Sequence, residues 1–197
     1  MKNIINFKLA LLVLLFLGLV SCRAQQTVAM NDSELDYPAN SYFKDLNSEL
    51  DSYVGSWQGI FNGQIITLSI TKHLKRPYEL LNKNFFKDAL IVKYEMKTPT
   101  GHISQSTLNS DFSGSNLDNF IMSVGTNLNS NNEVNLIYTG GNCSVGIGEV
   151  KFQKISATQF SWSYYPGTTT RNDIDCPPGL DYKIYLPETE NLVFTKQ

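Results

Sequence analysis

Histidine is scarce in this chain: His73 and His102 are the only two among 197 residues. Neither sits in a His-x-x-x-His, Glu-x-x-His or Gly-x-Ser-x-Gly segment that would supply the partner groups acid–base or nucleophilic chemistry requires. Both are expected in surface or satisfied structural positions. Arginine is nearly as rare, with Arg23, Arg76 and Arg171 alone, and the formal net charge is −2. Nucleic-acid binding needs clustered positive charge to displace phosphate counterions, so no nucleic-acid partner is expected. Three cysteines without a Cys-x-x-Cys spacing do not make the usual four-ligand metal site. Gly146-Ile147-Gly148 lacks the third glycine and the helix of a phosphate loop, and reads as a strand bend. Asn172-Asp173-Ile174-Asp175 lacks the glycine and distal glutamate of a calcium loop. The chain is therefore read as a non-enzyme, with no catalytic residue, metal or cofactor expected.

Long hydrophobic runs are also missing. The uncharged run from Leu9 to Val20 reaches about 18 Å as a helix, against roughly 30 Å of bilayer hydrocarbon, so it does not span a membrane. With Lys2 and Lys8 ahead of and beside it, the run has the layout of an export signal over residues 1–21. Its removal leaves 14 basic against 18 acidic residues, a net charge of −4. The run ends in Leu19-Val20-Ser21-Cys22, which resembles a bacterial lipobox. That resemblance implies lipidation at Cys22 and a membrane partner engaged through the acyl anchor. The alternative is plain secretion, with the cut after Ala24. The expected location is the bacterial cell envelope, on the periplasmic or surface side.

Once Cys22 is assigned, Cys143 and Cys176 are the remaining pair in a compartment that permits disulfides, and a bond between them is expected. Two free thiols are the alternative. Residues 22–40 are polar and without apolar period, and read as a flexible tether. Residues 41–197 then form one domain, for which 42% hydrophobic and 12% aromatic content suffices.

Within that domain, Phe43, Leu46, Leu50 and Tyr53/Val54 recur at three- and four-residue steps and predict one short amphipathic helix over Ser41 to Val54. After Gly55 the period becomes two. Trp57 to Phe61 and Gln64 to Lys72 flank Asn62-Gly63, a dipeptide suited to a tight hairpin. Residues His73 to Asp88 show no clean period and predict a long connection, with Arg76 and Tyr78 in a loop. Further strands are expected at Ala89 to Met96, Ile103 to Leu108, Phe120 to Val124, Val134 to Tyr138, Gly148 to Lys154, Gln159 to Tyr164, Tyr182 to Leu186 and Leu192 to Lys196. The pattern predicts an all-β antiparallel meander. A sheet this long curls or closes to remove its edges, giving a barrel or half-barrel.

A short helix followed by Gly55-x-Trp57 at the head of the first strand resembles the opening of lipocalin and fatty-acid-binding-type barrels. The resemblance implies a lipocalin-like barrel whose floor is closed by Gly55 and Trp57, with Lys196 as the cation over the indole. Lysine replaces the more usual arginine there. Ser21 to Gln25 and Leu50 to Trp57 also resemble segments of a family of small exported Bacteroidetes lipoproteins of unknown function, to which no catalytic residue is assigned. Two functions follow as expectations. One is a barrel binding a small apolar or amphiphilic ligand, with Tyr94, Trp162 and Tyr164 as walls. The other is a structural or interaction lipoprotein whose barrel is filled. The last strand lacks an Arg-x-Tyr, so fatty acid is not specified.

Overall fold

A computed structural model of the chain describes residues 24–113, 117–127, 133–169, 174 and 176–197. The signal segment 1–21, Cys22, and the pair Asp173 and Asp175 lie outside the described residues. The described strands are β1 (Thr27–Ala29), β2 (Tyr42–Lys44), β3 (Gly55–Phe61), β4 (Gln64–Leu80), β5 (Lys83–Lys97), β6 (Ile103–Ser106), β7 (Ile121–Asn127), β8 (Glu133–Tyr138), β9 (Gly148–Lys154), β10 (Gln159–Pro166) and β11 (Leu192–Lys196).

Eight of them close on themselves. Around the wall the order is β5-β4-β3-β11-β10-β9-β8-β7, every neighbour antiparallel. β7 then returns to β5, with Ile91 opposite Met122 and Val92 opposite Ile121. The fold is a closed antiparallel barrel with extra strands: β1 and β2 run parallel beside the first residues of β5, and β6 pairs with its last. The Asn62-Gly63 hairpin turns with both residues at positive φ (49° and 75°), which only the mirror-image turns require. Cys143 and Cys176 are joined, with their Cα atoms 6.0 Å apart.

Alternation explains the core. Ile66, Leu68 and Ile70 on β4 and Leu90, Val92, Tyr94 and Met96 on β5 point inward and are essentially unexposed. They join Trp57, Phe152, Phe160, Trp162 and Phe194 in one cluster. Phe160 lies at its centre, 4.6 Å from Phe152, 4.8 Å from Trp57 and stacked 5.5 Å from Phe194. Eight strands enclose about the space that such side chains fill.

Four expectations are corrected by this architecture. The helix over Ser41 to Val54 is replaced by β2 and a 3-10 turn at Asp51–Tyr53. Its apolar residues serve different cores: Phe43 packs with Val28 and Phe85, Leu50 and Tyr53 enter the barrel, and Leu46 is 58% exposed. The buried Asp45 carboxylate accepts the backbone N–H groups of Glu49 (2.8 Å) and Leu50 (3.1 Å), which competes with helical bonding. The tether is partly folded, since from Thr27 the chain pairs with β2 and Met30 is buried in the barrel cluster. Two short apolar residues at spacing two are too small a pattern to register as a strand.

The connection over His73 to Asp88 is instead the far half of a long β4–β5 hairpin, turned at Leu81 and Asn82. Its period is hidden by a bulge: His73 faces Ala89 and Arg76 faces Lys87, so β4 carries one extra residue there, with Lys75 at φ 53°. Pro77 is accommodated because beyond Ile70 β4 has no further partner in β3. Finally, Tyr182 to Leu186 lies along the wall without joining a ladder, although Leu186 is buried.

Candidate functional site

Gly55, Trp57 and Lys196 come together where β11 meets β3. Lys196 is the register partner of Trp57, and its Nζ lies 5.2 Å from the indole centroid. Gly55 has φ 132°, and a Cβ there would stand 3.1 Å from Lys196 Cε, so glycine admits both the backbone and the lysine stem. The Trp57 Nε1–H donates to the Tyr53 carbonyl at 2.7 Å, which seats Tyr53 as the cap over this end of the core.

Tyr94, Trp162 and Tyr164 are placed inside the packed core, at 0%, 0% and 2% exposure. Their polar tips are engaged by the chain itself. Trp162 Nε1–H donates to Pro187 O at 3.2 Å, Tyr164 Oη–H to Gly146 O, and Tyr94 Oη–H to Gln105 Oε1 at 2.8 Å. Asn119 Oδ1 also accepts from Tyr138 Oη (2.7 Å) and from Gln105 Nε2 (3.1 Å). Burial pushes the Tyr138 phenol up to about 12 and raises those of Tyr94 and Tyr164, so all three act as neutral donors. Packed in this way, these residues leave their rings no free polar group to offer.

An open cleft lies outside the wall. A cleft of 480 Å³ runs along the outer face of β4 and β5 beneath the segment that follows β6. Among its lining residues are Ser69, Thr71, His73, Arg76, Lys93 and Ser110. Alternation sends Ser69, Thr71 and His73 outward, opposite Lys93, Ile91 and Ala89. Arg76 would have the wrong parity to join them, but the bulge returns it to their face. That bulge is held by Asp88, which is buried. Its Oδ1 accepts the Lys75 N–H (2.9 Å) and the Tyr42 hydroxyl (2.6 Å), while Oδ2 accepts the Asp45 N–H (3.1 Å).

Both cations of the cleft are fixed in place. Arg76 lies with its guanidinium 4.9 Å from the Phe120 ring centroid, and its Nη2 donates to Phe112 O at 3.3 Å. Lys93 Nζ donates to the carbonyls of Ser110 (2.7 Å) and Leu108 (3.3 Å). Ile91, Phe112 and Phe120 form a small outer core under them. Burial lowers the His73 pKa first, and the charges of Arg76 and Lys93 lower it further, so the imidazole stays neutral at pH 7. At the rim, the Ser113 backbone N–H bonds the Asp111 carboxylate and holds its pKa below the ordinary value.

The sequence hides this cleft, because the bulge breaks the period after Lys72 and makes the segment around Arg76 read as a loop. The available signal is an arginine in a chain with three, four residues beyond the end of a strand expected to stop at Lys72. Among the described residues, no group of three His, Cys, Asp or Glu side chains is placed to hold a metal ion. No curated protein and no solved structure matches the chain significantly. A family model does match, over residues 1–197, and the chain thus belongs to the family of unknown function DUF6705.

Proposed function

We propose that the protein is a non-enzymatic envelope lipoprotein, anchored through Cys22, whose filled barrel is a rigid support and whose binding surface is the outer cleft on β4 and β5. The observation that carries this reading is the contrast in occupancy. The interior residues expected to wall a ligand are buried and bonded to the chain, whereas the cleft is open and lined by Ser69, Thr71, His73, Arg76 and Lys93 among others. Small-molecule sites commonly have volumes of about 300–1,000 Å³, and the cleft falls in that range. The anchor is supported by the lipobox-like end of the apolar run. Lipoprotein-type modification adds several acyl chains, enough for stable attachment where one is marginal.

Two measurements test the two halves. Cys22→Ala should move the protein from the membrane to the soluble fraction, and unchanged fractionation overturns the anchor. The only tryptophans, Trp57 and Trp162, are both interior. An apolar ligand entering the barrel would therefore change their emission. Saturable binding of an apolar dye with a matching change in tryptophan fluorescence would overturn the filled barrel and restore an apolar or amphiphilic ligand inside it.

A further inference from the structure

We propose that the outer cleft binds a phosphate monoester group carried on a small polar molecule, with Arg76 and Lys93 as its anchors. This rests on the reading of the cleft as the binding surface and names what it takes.

The argument begins with unused donors. Arg76 has five N–H groups in a fixed fork, and among the described residues Phe112 O is its one hydrogen-bond acceptor. Neither Arg76 nor Lys93 forms an ion pair among the described residues, although Lys72, Lys87, Lys97 and Lys151 all do. Lys93 spends two protons on carbonyls and keeps a third. Burial lowers the Arg76 pKa, but arginine remains charged in proteins, and its partly desolvated guanidinium has no balancing carboxylate among the described residues.

Surface cations that merely solvate are long and free to move. These two are instead clamped by carbonyls and rings, so the entropy of ordering them is already spent. A planar guanidinium engages two oxygens of a phosphate at once, and a second cation favours a dianion over a carboxylate. The hydroxyls of Ser69, Thr71 and Ser110 add neutral donors along the same wall. The cleft is far larger than a phosphate ion, which leaves room for a polyol carrier. Asp111 opposes such a ligand, since its carboxylate stands at the rim near Lys93.

Two sources share this chemistry, a free phosphorylated metabolite and a phospholipid head group. Calorimetric titration with sn-glycerol 3-phosphate and with inorganic phosphate tests the first. Sedimentation with phosphatidylcholine vesicles, with and without phosphatidic acid, tests the second, using protein purified without its acyl chains. Saturable binding in either arm is expected and assigns the source. It should weaken as salt rises. Arg76→Gln should weaken it by roughly 10- to 100-fold, the loss of a charged two-point contact. Asp111→Asn should tighten it by a few-fold, an opposite sign that no loss of folding can imitate. Near-UV circular dichroism reports whether Arg76→Gln is folded. The proposal is overturned if folded parent protein binds neither probe, or if Asp111→Asn fails to tighten binding. A negative result here with silent tryptophans in the dye experiment leaves the filled barrel standing and removes only the phosphate ligand.

Discussion

On β4, Ile66, Leu68 and Ile70 face the barrel axis and are at most 1% exposed, while Ser69, Thr71 and His73 on the same strand line an open cleft. Each face satisfies its polar groups differently. Inside, every tyrosine or tryptophan tip described above finds a carbonyl or amide of the chain. Outside, two clamped cations have donors to spare. Burying a large side chain contributes about 1.5–3 kcal/mol, so the inner face carries stability. The outer face, with only the small Ile91, Phe112 and Phe120 cluster to pack, is where selection for a ligand can act at lower cost to folding.

The sharpest way to break this contrast is to empty the interior. Trp57→Ala removes a ring 4.8 Å from Phe160 and the hydrogen bond that seats Tyr53. It should cost about 3–5 kcal/mol in denaturant unfolding. Arg76→Gln on the outer face should cost about 1 kcal/mol or less. Comparable losses from both would mean that the cleft is part of the core.

Next in size is the crosslink. Cys143 and Cys176 are 33 residues apart, and a loop of that length contributes about 3–4 kcal/mol in chain-entropy terms. The double variant Cys143→Ser with Cys176→Ser should lower the denaturant midpoint accordingly, while phosphate affinity stays unchanged. A shifted affinity would show that the covalent tie reaches the cleft.

Asp88 joins the two faces. Its carboxylate accepts three bonds, one of them from the residue at the bulge that aims Arg76. Asp88→Asn keeps the shape and loses acceptors, for about 1.5–3 kcal/mol. Unlike the disulfide variant it should also weaken ligand binding, because the bulge relaxes. Loss of stability with affinity intact would free the cleft from that support.

These positions also show what was legible beforehand. Period two in Ile66-Thr67-Leu68-Ser69-Ile70 is a local pattern, and it revealed the hairpin and most of the barrel wall. The Gly55-x-Trp57 opening and the basic residue at Lys196 mark three residues that do meet, the glycine by lacking a side chain. The far half of the hairpin was hidden because one inserted residue at the bulge reverses the parity of everything after it. The region before β3 was misread because Phe43 and Leu50 serve separate clusters while sharing a helical spacing. The cleft was invisible for another reason: Arg76, Lys93 and Ser110 are distant in sequence, and no local motif records a meeting set by register. That Tyr94, Trp162 and Tyr164 alternate inward was readable, but whether inward means wall or filling depends on how eight strands close.

The smallest expected effect concerns Lys196. Its ammonium lies over the Trp57 ring at 5.2 Å, yet the lysine itself is exposed, so water screens the charge. An exposed cation over an aromatic face contributes about 0.5–1 kcal/mol, and the aliphatic stem adds cover to the ring edge. Lys196→Ala removes both contributions, whereas Lys196→Met keeps a comparable stem and removes only the charge. The expected order in chemical denaturation is parent, then Met, then Ala, with Trp57→Ala far below all three. If Met matches the parent, the stem alone matters. If Lys196→Ala falls as far as Trp57→Ala, the chain end is a core element, and the division between a load-carrying interior and a permissive exterior fails where β11 meets β3.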